Sequence, residues 1–191
     1  DMLVTERPGR LRLVGRDGTL SQPIAGVPPV FATGQGGLLD VAIDPRFAAT
    51  GLVYFSFAEP RGAGSNGTSV ARARLVRQGG GGRLEAVEIV FRQQPAGSGA
   101  LHFGSRLAFA RDGSLFVTLG ERYHSKDRAQ ALDNHYGKVV RIMPDGSVPK
   151  DNPFLGRAGA LPELWSYGHR NPQSAAIHPV TGRLWIVEHG P

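Results

Sequence analysis

Short apolar segments separated by glycine- and proline-containing turns recur along the whole chain, and several alternate apolar with polar residues. Alternation with a period of two is typical of β-strands that bury one face. No segment sustains the period of roughly 3.6 residues that marks an amphipathic helix, so the pattern indicates an all-β fold. Strands are predicted at Leu11–Val14, Leu52–Phe57, Ser69–Leu75, Glu85–Phe91, Leu115–Leu119, Lys138–Ile142 and Leu184–Val187.

Four dipeptides that end in glycine mark tight turns between these strands. Glycine accepts a positive φ without steric cost, and Asp or Thr can hydrogen-bond to the neighbouring backbone. One short turn of helix is predicted near Ala129–Asn134, because this segment has a helix-favouring composition. The tight turns are expected at Asp17-Gly18, Asp112-Gly113, Asp145-Gly146 and Thr181-Gly182.

Three segments repeat one pattern, which consists of an apolar pair, a turn, a glycine and an apolar strand. Ile43, Phe109 and Ile177 occupy equivalent places in it, so the period is about 67 residues. Each interval holds about four candidate strands, which is the content of one β-propeller blade. A closed propeller needs roughly four to eight blades, so residues 1–191 are expected to form a single partial propeller domain of about three blades. The alternative is a small open β-meander that happens to repeat.

Composition narrows the possible functions. The 191 residues are 40% hydrophobic and 20% charged, which suits a globular domain with its own core. Cysteine is absent, which excludes disulfides, thiolate zinc sites and cysteine nucleophiles. The net charge is +6, but the 22 basic residues are dispersed and form no continuous stripe, so nucleic acid is not an expected partner. No apolar run approaches the ~18 residues of a membrane span, so insertion into a membrane is not expected.

Four polar clusters stand in loops, three of them at equivalent positions just before a repeat. Such loops are where a propeller places its ligand-binding groups. Each cluster alone also fits a structural role, as a turn, a packed histidine or hydrogen bonding between blades. The clusters are Gly34–Leu39 with Gln35, Leu101–Leu107 with His102, Ser166–Gln173 with Arg170 and Asn171, and the C-terminal Glu188–Pro191.

The side chains in these clusters favour an anionic, oxygen-rich ligand over other chemistry. Arginine offers a planar fork to carboxylates, imidazole can act as a base near neutral pH, and backbone carbonyls at Gly190 and Pro191 can hold calcium. The chain has neither paired histidines of the HxH or HExxH type nor a GxSxG elbow, which argues against a zinc enzyme and a serine hydrolase.

Together these motifs resemble the soluble glucose/sorbosone dehydrogenases, a family of quinoproteins. The resemblance lies in order and spacing and extends over essentially the whole chain. It implies a six-bladed β-propeller of four-stranded antiparallel blades that carries pyrroloquinoline quinone (PQQ) and calcium, of which this chain covers about three blades, the N-terminal half. The segments that carry the resemblance are Gly36–Ala42, His102–Leu107, Leu132–Pro153 and Tyr167–Gln173.

The resemblance also implies an activity and roles for individual residues. The activity is oxidation of an aldose at its anomeric carbon to a lactone, with a respiratory or artificial electron acceptor. His102 matches the general base, and Arg170 matches the group that stabilises the quinone oxygen. Gln35, Arg170 and Asn171 match cofactor contacts, and His102 is expected to contact the cofactor as well. The carbonyl groups of Gly190 and Pro191 match the calcium ligands.

Two departures from the family pattern bear on these expectations. Leu101 stands where glucose-oxidising members have an acidic residue, so His102 is expected to lack an orienting carboxylate. The family's later cofactor-clamping basic residues would lie beyond Pro191, so residues 1–191 alone are expected to hold PQQ weakly.

Location and alternative functions follow from the same resemblance. A periplasmic or extracellular location is expected, although the first residues show no signal-peptide pattern. The sequence does not determine the oligomeric state and leaves both a monomer and a homodimer open. A non-catalytic propeller binding module is the alternative function, and a calcium-dependent propeller hydrolase ranks last because the acidic residues lie mostly in turns.

Overall fold

Twelve strands form four antiparallel sheets within residues 1–190, the part of the chain that the computed structural model describes. Helical structure is limited to α1 (Phe47–Thr50) and one 3-10 helix (Lys126–Gln130). No helix among these residues is long and apolar enough to cross a membrane. The strands are β1 Met2–Glu6, β2 Arg10–Val14, β3 Leu38–Ile43, β4 Leu52–Pro60, β5 Asn66–Gln78, β6 Gly81–Arg92, β7 Gly104–Phe109, β8 Leu115–Leu119, β9 Lys138–Ile142, β10 Leu164–Tyr167, β11 Pro172–Ile177 and β12 Leu184–Glu188.

Each sheet is built from strands that follow one another along the chain. β1 pairs with β2, β3 to β6 form a four-stranded sheet, β7 to β10 form a second, and β11 pairs with β12. Ile43, Phe109 and Ile177 are the last residues of β3, β7 and β11. The repeat seen in the sequence therefore marks the first hairpin of each successive sheet, and the all-β expectation is confirmed.

The sheets pack face to face, which buries both sides of the middle strands. On β4, Tyr54 faces the second sheet and packs with Leu107, Val117 and Val140, whereas Phe55 faces the first hairpin with Leu11. Successive side chains of a strand point to opposite faces of its sheet, and here both are fully buried. Such burial requires a neighbouring layer on each face of the sheet. β3, β7 and β11 also lie side by side, so the loops that precede these first strands converge at one end of the sheets.

The seven strands and the tight turns that the pattern predicts are present, with longer strand bounds at several ends. Gly18, Gly113, Gly146 and Gly182 all have positive φ, as tight turns need. Five strands lack a strong sequence signal, namely β1, β3, β7, β10 and β11. β11 reads Pro-Gln-Ser-Ala-Ala-Ile, which has little β-propensity of its own, and it is a strand because neighbouring strands pair with and cover it.

The predicted helix near Ala129–Asn134 is wrong in its position. A 3-10 helix covers Lys126–Gln130, and Ala131 already has an extended ψ of 147°. The Asn134 side chain donates to the Arg128 carbonyl at 3.2 Å and accepts from the Tyr136 backbone N–H at 2.9 Å. Side chains of this type compete with the helix for backbone groups, so the chain turns where composition suggested that a helix would continue.

An ion cluster centred on Glu59 ties the end of β4 to its neighbours. Glu59 Oε2 lies 3.0 Å from Arg61 Nε and 2.9 Å from Arg92 Nε, and Ser69 Oγ donates to it at 2.7 Å. Burial raises the pKa of Glu59, but the bonds from Arg92 and Ser69 and the two positive charges outweigh burial and lower it. Because the folded pKa lies below the unfolded one, this stabilisation is present above the unfolded pKa and disappears as the pH falls through the folded pKa.

We expect Glu59→Gln to reduce the free energy of unfolding at pH 7 by about 1–2 kcal/mol, because two guanidinium groups lose their carboxylate. The difference between the variant and the wild type should shrink as the pH falls below the unfolded pKa, when Glu59 takes up a proton in the wild type. Urea unfolding at pH 7 and pH 3 measures both effects. Glu88→Gln, which removes an exposed partner of Arg72, is the matched control with a smaller expected change. A pH-independent difference for Glu59→Gln would contradict the ion-cluster explanation.

Candidate active site before the inner strands

The predicted site residues converge because each lies just before the first strand of a sheet. Gln35 precedes β3, His102 precedes β7, and Arg170 and Asn171 precede β11. Since these three strands are neighbours, residues about 67 positions apart in the chain come within hydrogen-bonding distance. The sequence repeat thus creates a common site at one end of β3, β7 and β11.

His102 is held by its backbone in an uncommon conformation. Its φ is 52°, and only 6% of the residue is exposed. Its backbone N–H donates to Gln35 Oε1 at 2.8 Å, and a Cβ on Gly120 would lie 2.1 Å from the His102 carbonyl oxygen. Only glycine at position 120 permits this approach. The conformation of the loop around His102 therefore depends on Gly120 and on the hydrogen bond to Gln35.

The imidazole of His102 pairs with the carboxylate of Glu121. Nδ1 lies 2.6 Å from Glu121 Oε1, and both side chains are buried. When Glu121 is ionised it can only accept a hydrogen bond, so Nδ1 is then the donor, and in the neutral imidazole this arrangement leaves the lone pair on Nε2. The expectation that His102 lacks an orienting carboxylate was therefore wrong. Leu101 supplies none, but Glu121, 19 residues further along the chain, does.

A cavity of about 340 Å³ borders Glu121, one member of this pair. Its lining is Glu121, Tyr123, His124, Lys126 and Arg170. The second oxygen of Glu121, Oε2, is buried and has no hydrogen-bond partner among the described residues. A buried acceptor without a partner is costly. The side chains of Lys126 and Arg170 in the lining favour a ligand that carries negative charge.

Arg170 reaches this cavity while its backbone fixes the neighbouring loops. Its carbonyl accepts from the Glu121 N–H at 2.8 Å, and its own N–H donates to Glu188 Oε2 at 2.8 Å. Within residues 1–190, the guanidinium makes no hydrogen bond and stays available to a ligand. A Cβ on Gly190 would lie 2.7 Å from Arg170 Cδ, so the Gly190 backbone packs directly against Arg170. Pro191 lies outside the described residues.

Gln35 and Asn171, the two amides to which the resemblance assigns cofactor contacts, each bond to the loop that carries His102. Gln35 Oε1 holds the His102 N–H, and Asn171 Oδ1 accepts from the Gly104 N–H at 3.0 Å. Asn171 is also almost fully buried. In this structure their oxygens anchor the segment from His102 to Gly104, so both amides help to hold the imidazole in place.

The sequence and the fold of this chain are similar to those of known proteins. A sequence model of the family described as glucose/sorbosone dehydrogenase matches residues 1–191. The chain belongs to this family. As a glucose/sorbosone dehydrogenase family member, it shares the all-β architecture of four-stranded antiparallel sheets seen in the glucose dehydrogenase structures below.

Three similar proteins illustrate the relationship. Aldose sugar dehydrogenase YliI of Escherichia coli is 45% identical over all of this chain and 50% of its own length. A crystal structure titled glucose dehydrogenase has a TM-score of 0.94 and 54% identity, and the match covers 98% of this chain and 54% of that one. The PQQ-bound aldose sugar dehydrogenase of Streptomyces coelicolor has a TM-score of 0.85 and 31% identity over 99% of this chain and 53% of that one. This chain thus spans about half the length of these relatives.

Glu121 is the main site residue that the sequence interpretation of this family member missed. Gly104 pairs with Leu119 across the β7–β8 hairpin, and extending that register by two residues places His102 opposite Glu121. The signal was therefore available, because Glu121 follows a predicted strand and comes shortly after the Asp112-Gly113 turn. It was overlooked because β7 itself has a weak strand pattern.

Other polar residues near the site have structural partners. His169 Nε2 bonds to Ser166 Oγ at 2.8 Å, and its Nδ1 lies 3.6 Å from Glu188 Oε1. Among the described residues, no group of three or more His, Cys, Asp or Glu side chains is arranged to hold a metal ion. A cation at this end of the sheets would depend on backbone carbonyls such as that of Gly190.

Proposed function

We propose that this chain is the N-terminal half of a PQQ-dependent, calcium-assisted aldose dehydrogenase, and covers about three blades of a six-bladed propeller. The observation that carries the proposal is the buried His102–Glu121 pair beside a cavity lined by Arg170, Lys126 and His124. Membership of the family and the dehydrogenase names of its relatives support it. A non-catalytic binding module would need neither an oriented base nor its carboxylate.

His102 is the general base of the proposed reaction. With Nδ1–H directed to Glu121, the lone pair on Nε2 can take the proton of the sugar's C1 hydroxyl. As that proton leaves, the C1–H bond breaks with its electron pair and the C1–O bond becomes the carbonyl of the lactone. The Glu121 carboxylate stabilises the imidazolium that forms and keeps the ring from turning.

The residues that line the cavity fit a trianionic cofactor. Arg170 and Lys126 bring basic side chains to a lining that also contains Glu121, Tyr123 and His124. When bound, PQQ supplies the acceptor for the hydride that leaves C1. Arg170, whose guanidinium makes no hydrogen bond within residues 1–190, would hold an oxygen of the cofactor and would offset negative charge on it. Gln35 and Asn171 keep the His102 loop in position.

We propose, from the family resemblance, that calcium binds to the backbone carbonyls of Gly190 and Pro191, of which Pro191 lies outside the described residues. Calcium prefers oxygen ligands and accepts main-chain carbonyls, and Gly190 packs against the side chain of Arg170. A bound calcium ion supplies positive charge that polarises the cofactor. We further propose a periplasmic or extracellular enzyme that oxidises aldoses and passes electrons to a respiratory or artificial acceptor.

Reconstitution of the full-length protein tests this function. We expect the full-length protein with PQQ and calcium to reduce a redox dye on addition of an aldose, with a matching change in cofactor absorbance. Residues 1–191 alone should bind PQQ much more weakly, because they correspond to about half of the length of the relatives. Omission of calcium and omission of sugar are the controls. If the full-length protein neither binds PQQ nor oxidises sugars, the binding-module alternative replaces the enzyme.

A further inference from the structure

Arg122 is a fully buried arginine that lies directly under the loop of His102. Only 2% of the residue is exposed, and its guanidinium stacks 3.9 Å from the centre of the Phe103 ring. Its donors reach oxygen atoms on two separate segments of the chain. The bonds run from Nε to the Leu101 carbonyl at 3.1 Å, from Nη2 to the Gly99 carbonyl at 2.9 Å and to Asn66 Oδ1 at 2.6 Å, and from Nη1 to the Asn66 carbonyl at 3.4 Å.

No carboxylate pairs with this guanidinium within residues 1–190, which is unusual for a buried charge. Burial lowers the pKa of Arg122 to about 10, so the group remains charged at neutral pH. A buried charge that relies on neutral acceptors is expensive compared with an apolar side chain. Stability alone therefore gives little reason for an arginine at this position.

Arg122 contacts the residue before His102 and the residue after it. Leu101 and Phe103 are the two neighbours of His102, and the Arg122 N–H also points to the His102 carbonyl at 3.3 Å. We propose that Arg122 is a positioning residue that fixes the His102 loop against Glu121. The proposal rests on the proposed function, because it concerns the same base. The planar guanidinium is essential to this positioning role, because it donates several hydrogen bonds in fixed directions.

Backbone strain supports a positioning role. His102, Arg122 and Tyr123 all have left-handed φ angles, of 52°, 64° and 67°. Such conformations are costly for residues other than glycine, and they persist only where surrounding contacts enforce them. The consecutive left-handed residues send Arg122 beneath the loop and Tyr123 to its outer side, where the tyrosine ring meets the His102 ring edge-on at 5.3 Å.

Arg122→Lys in the full-length protein tests the proposal, because lysine keeps the charge but loses the fork and the stacking. We expect the downfield NMR signal of the His102 Nδ1–H proton to broaden or vanish in the cofactor-free protein. We also expect kcat to fall about 10–100-fold with little change in KM for the aldose, since small displacements of a reacting group are costly. The NMR signal needs neither cofactor nor turnover.

Arg141→Lys is the matched control. Arg141 is also buried, and it bonds to Ser114 Oγ and Asp151 Oδ1, each at 2.9 Å. It lies on β9 near the Asp112 turn, at the opposite end of the β7–β8 hairpin from His102. We expect Arg141→Lys to lower thermal stability while leaving both the His102 signal and kcat unchanged.

Each outcome decides the proposal. An unchanged His102 signal and kcat in Arg122→Lys, or equal losses in both arginine variants, would overturn it. If Arg122→Lys does not fold, as judged by circular dichroism, Phe103→Leu removes the ring on which the guanidinium stacks and should broaden the same signal to a smaller extent. An unaltered signal there overturns the proposal too. If the wild type itself shows no PQQ-dependent turnover, the proposed function fails, whereas the NMR comparison still decides the role of Arg122.

Discussion

His102→Ala in the full-length protein should lower kcat by about 10²–10⁴-fold and leave PQQ binding within a few-fold of the wild type. The variant loses Nε2, the only atom in our proposal that takes the C1 hydroxyl proton, whereas the cationic side chains that line the cavity remain. Dye-reduction kinetics measure turnover, and an absorbance titration with PQQ measures binding.

A second histidine at the same end of the sheets provides the control. His169 is bonded to Ser166 and does not line the cavity, so His169→Ala should change kcat by much less. Sugar oxidation at the wild-type rate in His102→Ala would remove His102 from the mechanism. Loss of PQQ binding in that variant would instead make His102 a cofactor ligand.

Glu121→Gln should lower kcat by a similar factor, about 10²–10⁴-fold, with a small effect on PQQ affinity. The amide occupies the same volume but carries no charge, and it no longer forces the proton onto Nδ1. The imidazole can then turn or change tautomer, and the imidazolium formed in the reaction loses its counter-charge. Steady-state kinetics and the His102 imidazole signals in NMR check both consequences.

The chain contains a second His–Glu pair that serves as the control for this substitution. Glu163 Oε1 lies 2.8 Å from His135 Nε2, and burial, which raises the pKa of Glu163, is outweighed by the bond and charge of His135, so the pKa is lowered. Glu163→Gln should destabilise the fold and leave kcat unchanged. Equal losses of kcat in both variants would indicate that Glu121 matters for folding and not for proton transfer.

Together these substitutions separate an enzyme from a binding module with the same fold. A binding module tolerates loss of the proton acceptor at His102 and loss of the charge at Glu121, provided that the cavity keeps its shape. An aldose dehydrogenase does not, because both groups act on a proton that moves only during turnover. Arg122→Lys adds a third comparison, in which the groups that react are intact and only their support changes.

The candidate site could be predicted in part because the repeat places residues before equivalent strands. Gln35, His102, Arg170 and Asn171 were identified in this way, and the structure brings them into one hydrogen-bonded group. Their individual roles could not be read from the sequence. The amide oxygens of Gln35 and Asn171 bond to the backbone around His102, a use of a side chain that depends on which loop lies opposite.

The carboxylate partner of His102 shows the limit of reasoning from neighbours in the chain. Leu101 suggested that the base was unsupported, yet Glu121 reaches it across the β7–β8 hairpin. β7 begins with glycine, serine and arginine, so local propensity did not reveal the hairpin register that places position 121 opposite position 102. Arg122 was missed for a similar reason, since nothing in the chain around it indicates that its guanidinium is buried.

The sequence by itself determined the all-β class, the period of about 67 residues and the positions of the strongest strands, because alternation and turn chemistry are local properties. Only the tertiary structure decided which side chains meet at the site. The Glu121–His102 contact, the buried Arg122 and the left-handed backbone around them arise from the packing of loops that lie far apart in the chain. Burial and hydrogen-bond partners depend on that packing, and it leaves little trace in local composition.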